Sequence, residues 1–162
     1  MLILASKSPR RRDILQNAGI PFEVRTSDIP EIRRSGEAPV EYVRRLAKQK
    51  AAAVTRGENE IVLGADTIVL VVNEVFEKPH GVEDARRMLR RLSGREHQVT
   101  TGICLIAPKG EVVDSETTSV RFAPLTDAEI DEYIAGGEPM DKAGGYAIQG
   151  LASKFKIGRA HV

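Results

Sequence analysis

The segment Ile61–Val72 reads IVLGADTIVLVV and is apolar except at Gly64, Asp66 and Thr67. A run this rich in Val, Ile and Leu, without helical spacing, belongs to one long strand or a strand pair buried on both faces. Strands buried in this way need helices packed against them, so the run predicts a layered α/β fold. Asp66 sits in the middle of it. Aspartate is depleted in strands and costs free energy to bury without a partner. It is therefore a metal ligand, a general base or a buried hydrogen-bond anchor. Gly64 lets another group approach the backbone closely.

The remaining chain supplies the other layers. Leu2–Ala5 reads as a short buried strand. Ser8-Pro9 opens a helix, with Ser as N-cap and Pro at the first helical position. Ile14, Leu15 and Ala18 form its apolar stripe, and Gly19 ends it. Phe22–Thr26 is a strand and Pro30–Pro39 a polar loop. Glu41–Thr55 has the periodicity of a helix, with Val43, Leu46, Ala47, Ala51 and Val54 on one side. Asn73-Glu74 suits a turn from which Val75-Phe76 returns. Glu83–Leu92 is a second amphipathic helix. Gln98–Ala107 and Glu111–Phe122 form a hairpin across Pro108-Lys109-Gly110. Thr126 and Glu129 make a capping box, Gly136-Gly137 stops that helix, and Tyr146–Ile148 reads as a last short strand. The expected fold class is α/β, with a mixed sheet flanked by helices.

Charge is nearly balanced, with 24 basic and 23 acidic residues. A chain built to coat nucleic acid or an acidic membrane would carry a larger excess, so any cationic site here is a local cluster, and no nucleic-acid partner is expected. A single cysteine, Cys104, excludes an internal disulfide and a Cys-rich zinc site. The apolar start before Ser6 is too short for a signal peptide, and no later run is long enough to span a membrane, which points to the cytoplasm.

Several polar groups stand where helix and strand design does not call for them. Ser6-Lys7-Ser8-Pro9-Arg10-Arg11-Arg12 places cations at a helix N-terminus, against the helix dipole. A polyphosphate bound there would remove the conflict, whereas a solvated basic helix start would merely tolerate it. Lys50 falls on the apolar face of its helix, where it either snorkels to solvent or meets an anion. Glu77-Lys78-Pro79 puts a cation in a loop. Asp141-Lys142-Ala143-Gly144-Gly145-Tyr146 is followed by Gln149, whose amide offers the paired donor and acceptor that a base edge requires. His80 and His97 read as loop or strand-end residues.

Taken in order, Leu4-Ala5-Ser6-Lys7-Ser8-Pro9-Arg10-Arg11, Gly64-Ala65-Asp66-Thr67-Ile68-Val69, Glu77-Lys78-Pro79 and Asp141-Lys142-Ala143-Gly144 resemble the Maf family of nucleotide pyrophosphatases, also called septum-formation inhibitors. The resemblance runs from Leu2 to Gly150. It implies an inosine-triphosphatase-like fold, a mixed twisted sheet flanked by helices with a central nucleotide cleft, and a homodimer. It also implies an enzyme that cleaves nucleoside triphosphates between the α- and β-phosphates with a divalent cation, Mg²⁺ or Mn²⁺. By the same likeness Asp66 matches the proton acceptor, and Ser6, Arg10, Arg11, Lys50 and Lys78 match positions lining the phosphate site. Glu31, with Asp66, matches a metal contact. Arg10, Thr67 and Gln149 match the positions that follow substrate choice, in the pattern of the dTTP and UTP branch; the 7-methyl-GTP branch has an aromatic residue first. A non-catalytic, nucleotide-binding regulator of septum formation is the rival reading, and it predicts binding without turnover.

The family continues beyond Gly150 for several tens of residues. Ile157-Gly158-Arg159-Ala160-His161-Val162 could be translated from ATCGGAAGAGCACACGTC, a common sequencing-adapter string. The expectation is one domain over 1–156, incomplete at its C-terminus, followed by a non-native tail over 157–162.

Overall fold

The computed structural model describes residues 1–26 and 28–161, with side chains through residue 158. The strands are β1 (Leu2–Leu4), β2 (Phe22–Val24), β3 (Ile61–Val71), β4 (Glu74–Phe76), β5 (Glu96–Ala107), β6 (Gly110–Phe122) and β7 (Lys156–His161). The helices are α1 (Pro9–Asn17), α2 (Pro39–Ala52), α3 (Val82–Leu92) and α4 (Asp127–Ala135), with 3-10 turns at Glu138–Asp141, Ala143–Gly145 and Leu151–Phe155. The seven strands make one mixed sheet in the order β2-β1-β3-β5-β6-β7, with β4 on β3. The α/β class and the mixed sheet agree with the sequence.

Two compact units divide the chain. The first comprises Met1–Asp66 and Thr101–Ser115. Here β1 pairs in parallel with both β2 and β3, Leu2–Leu4 lying beside Phe22–Val24 and Ile61–Leu63. Ile3, Ala5, Ala47, Ala51, Val62 and Cys104 form its core. Helix α2 sits close on β3 at Gly64, because a Cβ there would lie 2.1 Å from the Ala47 carbonyl oxygen and 2.7 Å from Ala51 N. Pro39, read from sequence as the end of a loop, is the first residue of α2, a position where its missing N–H costs nothing. On α1 only Leu15 is buried, and Ile14 faces outward.

The second unit comprises Thr67–Thr100 and the described residues from Glu116 on. Its larger core joins Val69, Phe76, Leu89, Phe122, Tyr133, Tyr146 and Phe155 among others. Strands β3 and β4 are antiparallel, and Val72 and Asn73 turn between them at positive φ (46° and 65°), one residue earlier than the sequence suggests. The capping box of α4 forms as expected, with the Glu129 N–H donating to Thr126 Oγ1 and the Thr126 N–H to Glu129 Oε2. Strand β7 pairs antiparallel with β6. Tyr146–Ile148 is not a strand; the chain there is irregular and leads into a turn. Among the described residues no helix is long and apolar enough to cross a membrane.

Candidate active site

Asp66 lies inside the first unit at 5% exposure, on a strand whose neighbours Ala65 and Gly64 are also buried. Its carboxylate is met by Lys50. The Nζ of Lys50 donates to Asp66 Oδ1 at 2.6 Å and lies 2.9 Å from Glu31 Oε1. The lysine thus takes the second of the two courses open to it: its side chain is only 15% exposed and its ammonium lies between two carboxylates. This reach depends on the close seat of α2 at Gly64. Burial pushes the Asp66 carboxyl above its ordinary value, against the pull of the Lys50 charge and hydrogen bond; Glu31 adds to the rise and Arg11 opposes it.

The start of α1 supplies further donors to the same unit. Arg11 Nη1 donates to Ser6 Oγ at 3.0 Å and to the Ala65 carbonyl at 2.9 Å, which ties α1 to the residue before Asp66. Burial lowers the Arg11 pKa, while the charges of Asp66 and Glu31 raise it. Ser6 also accepts the Ser8 N–H at 3.2 Å, so Ser6 rather than Ser8 satisfies that helix-start donor. Arg10 is half-buried, and its Nη1 has no hydrogen-bond partner among the described residues. A buried guanidinium donor left unpaired is costly, so an anionic acceptor at this helix start would be stabilising.

Glu31 is exposed on the loop that residue pattern marks only as polar and that the family resemblance alone singles out. Arg45 of α2 organises that loop. Its guanidinium donates to both Glu37 carboxylate oxygens (2.6 and 2.8 Å) and to the Ile32 carbonyl (3.0 Å). These bonds hold the Glu37 carboxyl down at about 2. The signal in the sequence was a cation and an anion eight residues apart, too common a pattern to single out.

The other predicted site residues belong to the second unit. Thr67 is half-buried on β3, while Lys78 and Gln149 are exposed on loops. Those two loops are joined: the Gly144 N–H donates to the Glu77 carbonyl at 3.0 Å. Gly144 is required there, having φ of +70° and a Cβ position 2.7 Å from Val69 Cγ2.

Asp66 Oδ1 and Glu31 Oε1 both lie within 2.9 Å of the Lys50 Nζ, so the ammonium occupies the point where the two carboxylates converge; carboxylate oxygens are the donors a hard divalent cation takes. Among the described residues no group of three or more His, Cys, Asp or Glu gathers to hold a metal ion, here or elsewhere. The pair fits an ion of the magnesium type, which takes one or two protein carboxylates and completes its shell with water and substrate oxygens.

Comparison with known proteins finds relatives along nearly the whole chain. The family model described as Maf-like protein matches residues 1–159. The chain is 51% identical to the dTTP/UTP pyrophosphatase of Koribacter versatilis, over 97% of this chain and 82% of that one. It is 52% identical to the dTTP/UTP pyrophosphatase of Symbiobacterium thermophilum, over 94% and 79%. Among solved structures, the Ham1 protein of Staphylococcus aureus shares the fold, with a TM-score of 0.50 and 16% identity, over 95% of this chain and 90% of that one.

Proposed function

The chain belongs to the Maf-like protein family, and from that membership we propose that it hydrolyses dTTP and UTP to the nucleoside monophosphate and pyrophosphate. The observation that carries the reading is the buried Asp66 carboxylate, held at 2.6 Å by Lys50 and flanked by Glu31 and Arg11 in a relative of dTTP/UTP pyrophosphatases. Keeping an aspartate inside an apolar strand is expensive, and a reaction that needs a fixed carboxylate explains the expense.

A triphosphate brings about four negative charges, which several cations must offset. Arg10, Arg11, Lys50 and Lys78 are assigned to that task, with Ser6 as a neutral donor. Asp66 orients the attacking water and accepts its proton as the oxygen bonds to phosphorus. The α–β anhydride then breaks, and pyrophosphate leaves with the electron pair of the broken bond. Glu31 and Asp66 would hold Mg²⁺ or Mn²⁺, which supplies charge neutralisation on phosphate oxygens and the leaving group. Thr67 and Gln149 are assigned to the nucleoside, Gln149 through its paired amide donor and acceptor. The working form is taken to be a cytoplasmic homodimer without a nucleic-acid partner, which light scattering and a nucleic-acid binding titration at low salt would check.

The test is turnover of dTTP, UTP, CTP, GTP and 7-methyl-GTP with Mg²⁺ or Mn²⁺. The proposal expects dTTP and UTP to be preferred. Preference for 7-methyl-GTP would move the chain to another branch, and nucleotide binding without turnover would favour a regulatory role.

A further inference from the structure

The second unit contains a buried polar pair that the reaction does not use. His97 and Tyr146 are 2% and 5% exposed, and His97 Nε2 lies 2.6 Å from the Tyr146 hydroxyl. Both rings stand edge-on to Phe122, with centroids 4.9 and 4.8 Å from it. Apolar side chains would fill this space without burying polar atoms, so the pair contributes direction rather than bulk. Burial holds the His97 ring at about 4, hence neutral, and pushes the Tyr146 hydroxyl above its ordinary range. The contact is a neutral hydrogen bond of fixed geometry.

Tyr146 also begins the segment that ends at Gln149. Before it, Gly144 and Gly145 turn at φ of +70° and +72°, and Gly144 is bonded to Glu77, the neighbour of Lys78. After it, the Gly150 N–H donates to the Ala147 carbonyl, and Glu138 Oε1 accepts the Leu151 N–H at 3.1 Å. Gln149 therefore hangs from a short loop fixed at Tyr146 on one side and Leu151 on the other. A phenylalanine at 146 could slide within the aromatic cluster; the tyrosine hydroxyl cannot move without losing His97.

We propose that His97 and Tyr146 are positioning residues for nucleobase discrimination, their buried hydrogen bond setting where the 146–150 loop presents Gln149. This rests on the assignment of Gln149 to the base. The experiment measures kcat/KM for dTTP, UTP and CTP in wild type, Gln149→Ala, Tyr146→Phe and the double variant. Gln149→Ala should reduce discrimination of dTTP over CTP by about tenfold or more, since an unmatched polar group is what rejects the wrong base. Tyr146→Phe should reduce it about fivefold, mainly through KM for dTTP with kcat nearly unchanged, and the double variant should match Gln149→Ala alone because the two act through one contact. Unchanged discrimination in Gln149→Ala defeats the base assignment itself. A loss in Gln149→Ala with none in Tyr146→Phe, or strictly additive losses, overturns the positioning role. Should Tyr146→Phe fold poorly, His97→Gln and His97→Leu decide it: the amide can keep the bond to the hydroxyl and should keep discrimination, the leucine should lose it, and equal behaviour of the two contradicts the inference.

Discussion

The two units bury polar groups in opposite ways. In the first, Lys50 and Asp66 are joined as an ion pair, with Arg11 bonded to the carbonyl just before Asp66 and Glu31 at the exposed edge. In the second, His97 and Tyr146 are neutral and meet through a single bond inside an aromatic cluster. Ionised groups withdrawn from water are difficult to keep and serve where charge must be handled. A neutral pair is cheaper and serves where a loop must be placed. The contrast teaches that burial alone does not mark a reacting group; charge, partner and neighbouring cations do.

Breaking the charged side should give the largest effect. Asp66→Asn is expected to lower kcat for dTTP by about 10³-fold, the scale of a lost positioned base, while a thermal melt still shows a cooperative fold. Next comes the packing beneath it. Gly64→Val is expected to cost more than ~3 kcal/mol in urea unfolding, because the new side chain meets the Ala47 and Ala51 backbone of α2. Gly144→Ala in the second unit should cost less, about 1–3 kcal/mol, from its φ of +70° and a clash with the Val69 side chain rather than with helix backbone.

The neutral side should be exposed by acid. His97 titrates at about 4 in the folded chain against an ordinary 6.5. Between those values the unfolded chain binds a proton that the folded chain refuses. The contribution is therefore complete above about pH 6.5 and is lost as pH falls toward 4, by up to ~3 kcal/mol. Urea midpoints across that range, compared between wild type and His97→Gln, would isolate it; a flat difference would mean that the ring is not held neutral. The smallest effect is expected at Arg45→Ala, which loosens the Glu31 loop: a fall of about fivefold in kcat/KM with about 1–2 kcal/mol of stability, because the half-buried Glu37 carboxylate loses its charged partner.

Much of this was legible in the sequence, for physical reasons. Asp66 in an apolar run and Lys50 on the apolar face of α2 are violations of local pattern, and such violations mark sites. Where Lys50 pointed was not legible, because the choice between solvent and Asp66 depends on how closely α2 approaches β3. Tyr146–Ile148 resembled a strand by its apolar residues, but Gly144 and Gly145 at positive φ and the bond to His97 bend the chain away from any ladder. The pair itself joins residues 49 apart in sequence, beyond the reach of local reading. The turn at Val72 was displaced because a β-branched residue at positive φ is seldom expected.

Cleavage between the α- and β-phosphates, dependent on Asp66, is the central claim, and phosphorus NMR of dTTP incubated with the enzyme and Mg²⁺ tests it most directly. The prediction is dTMP and pyrophosphate in equal amounts from wild type, with neither formed at a comparable rate by Asp66→Asn. Release of orthophosphate and dTDP, or undiminished pyrophosphate from Asp66→Asn, would contradict it.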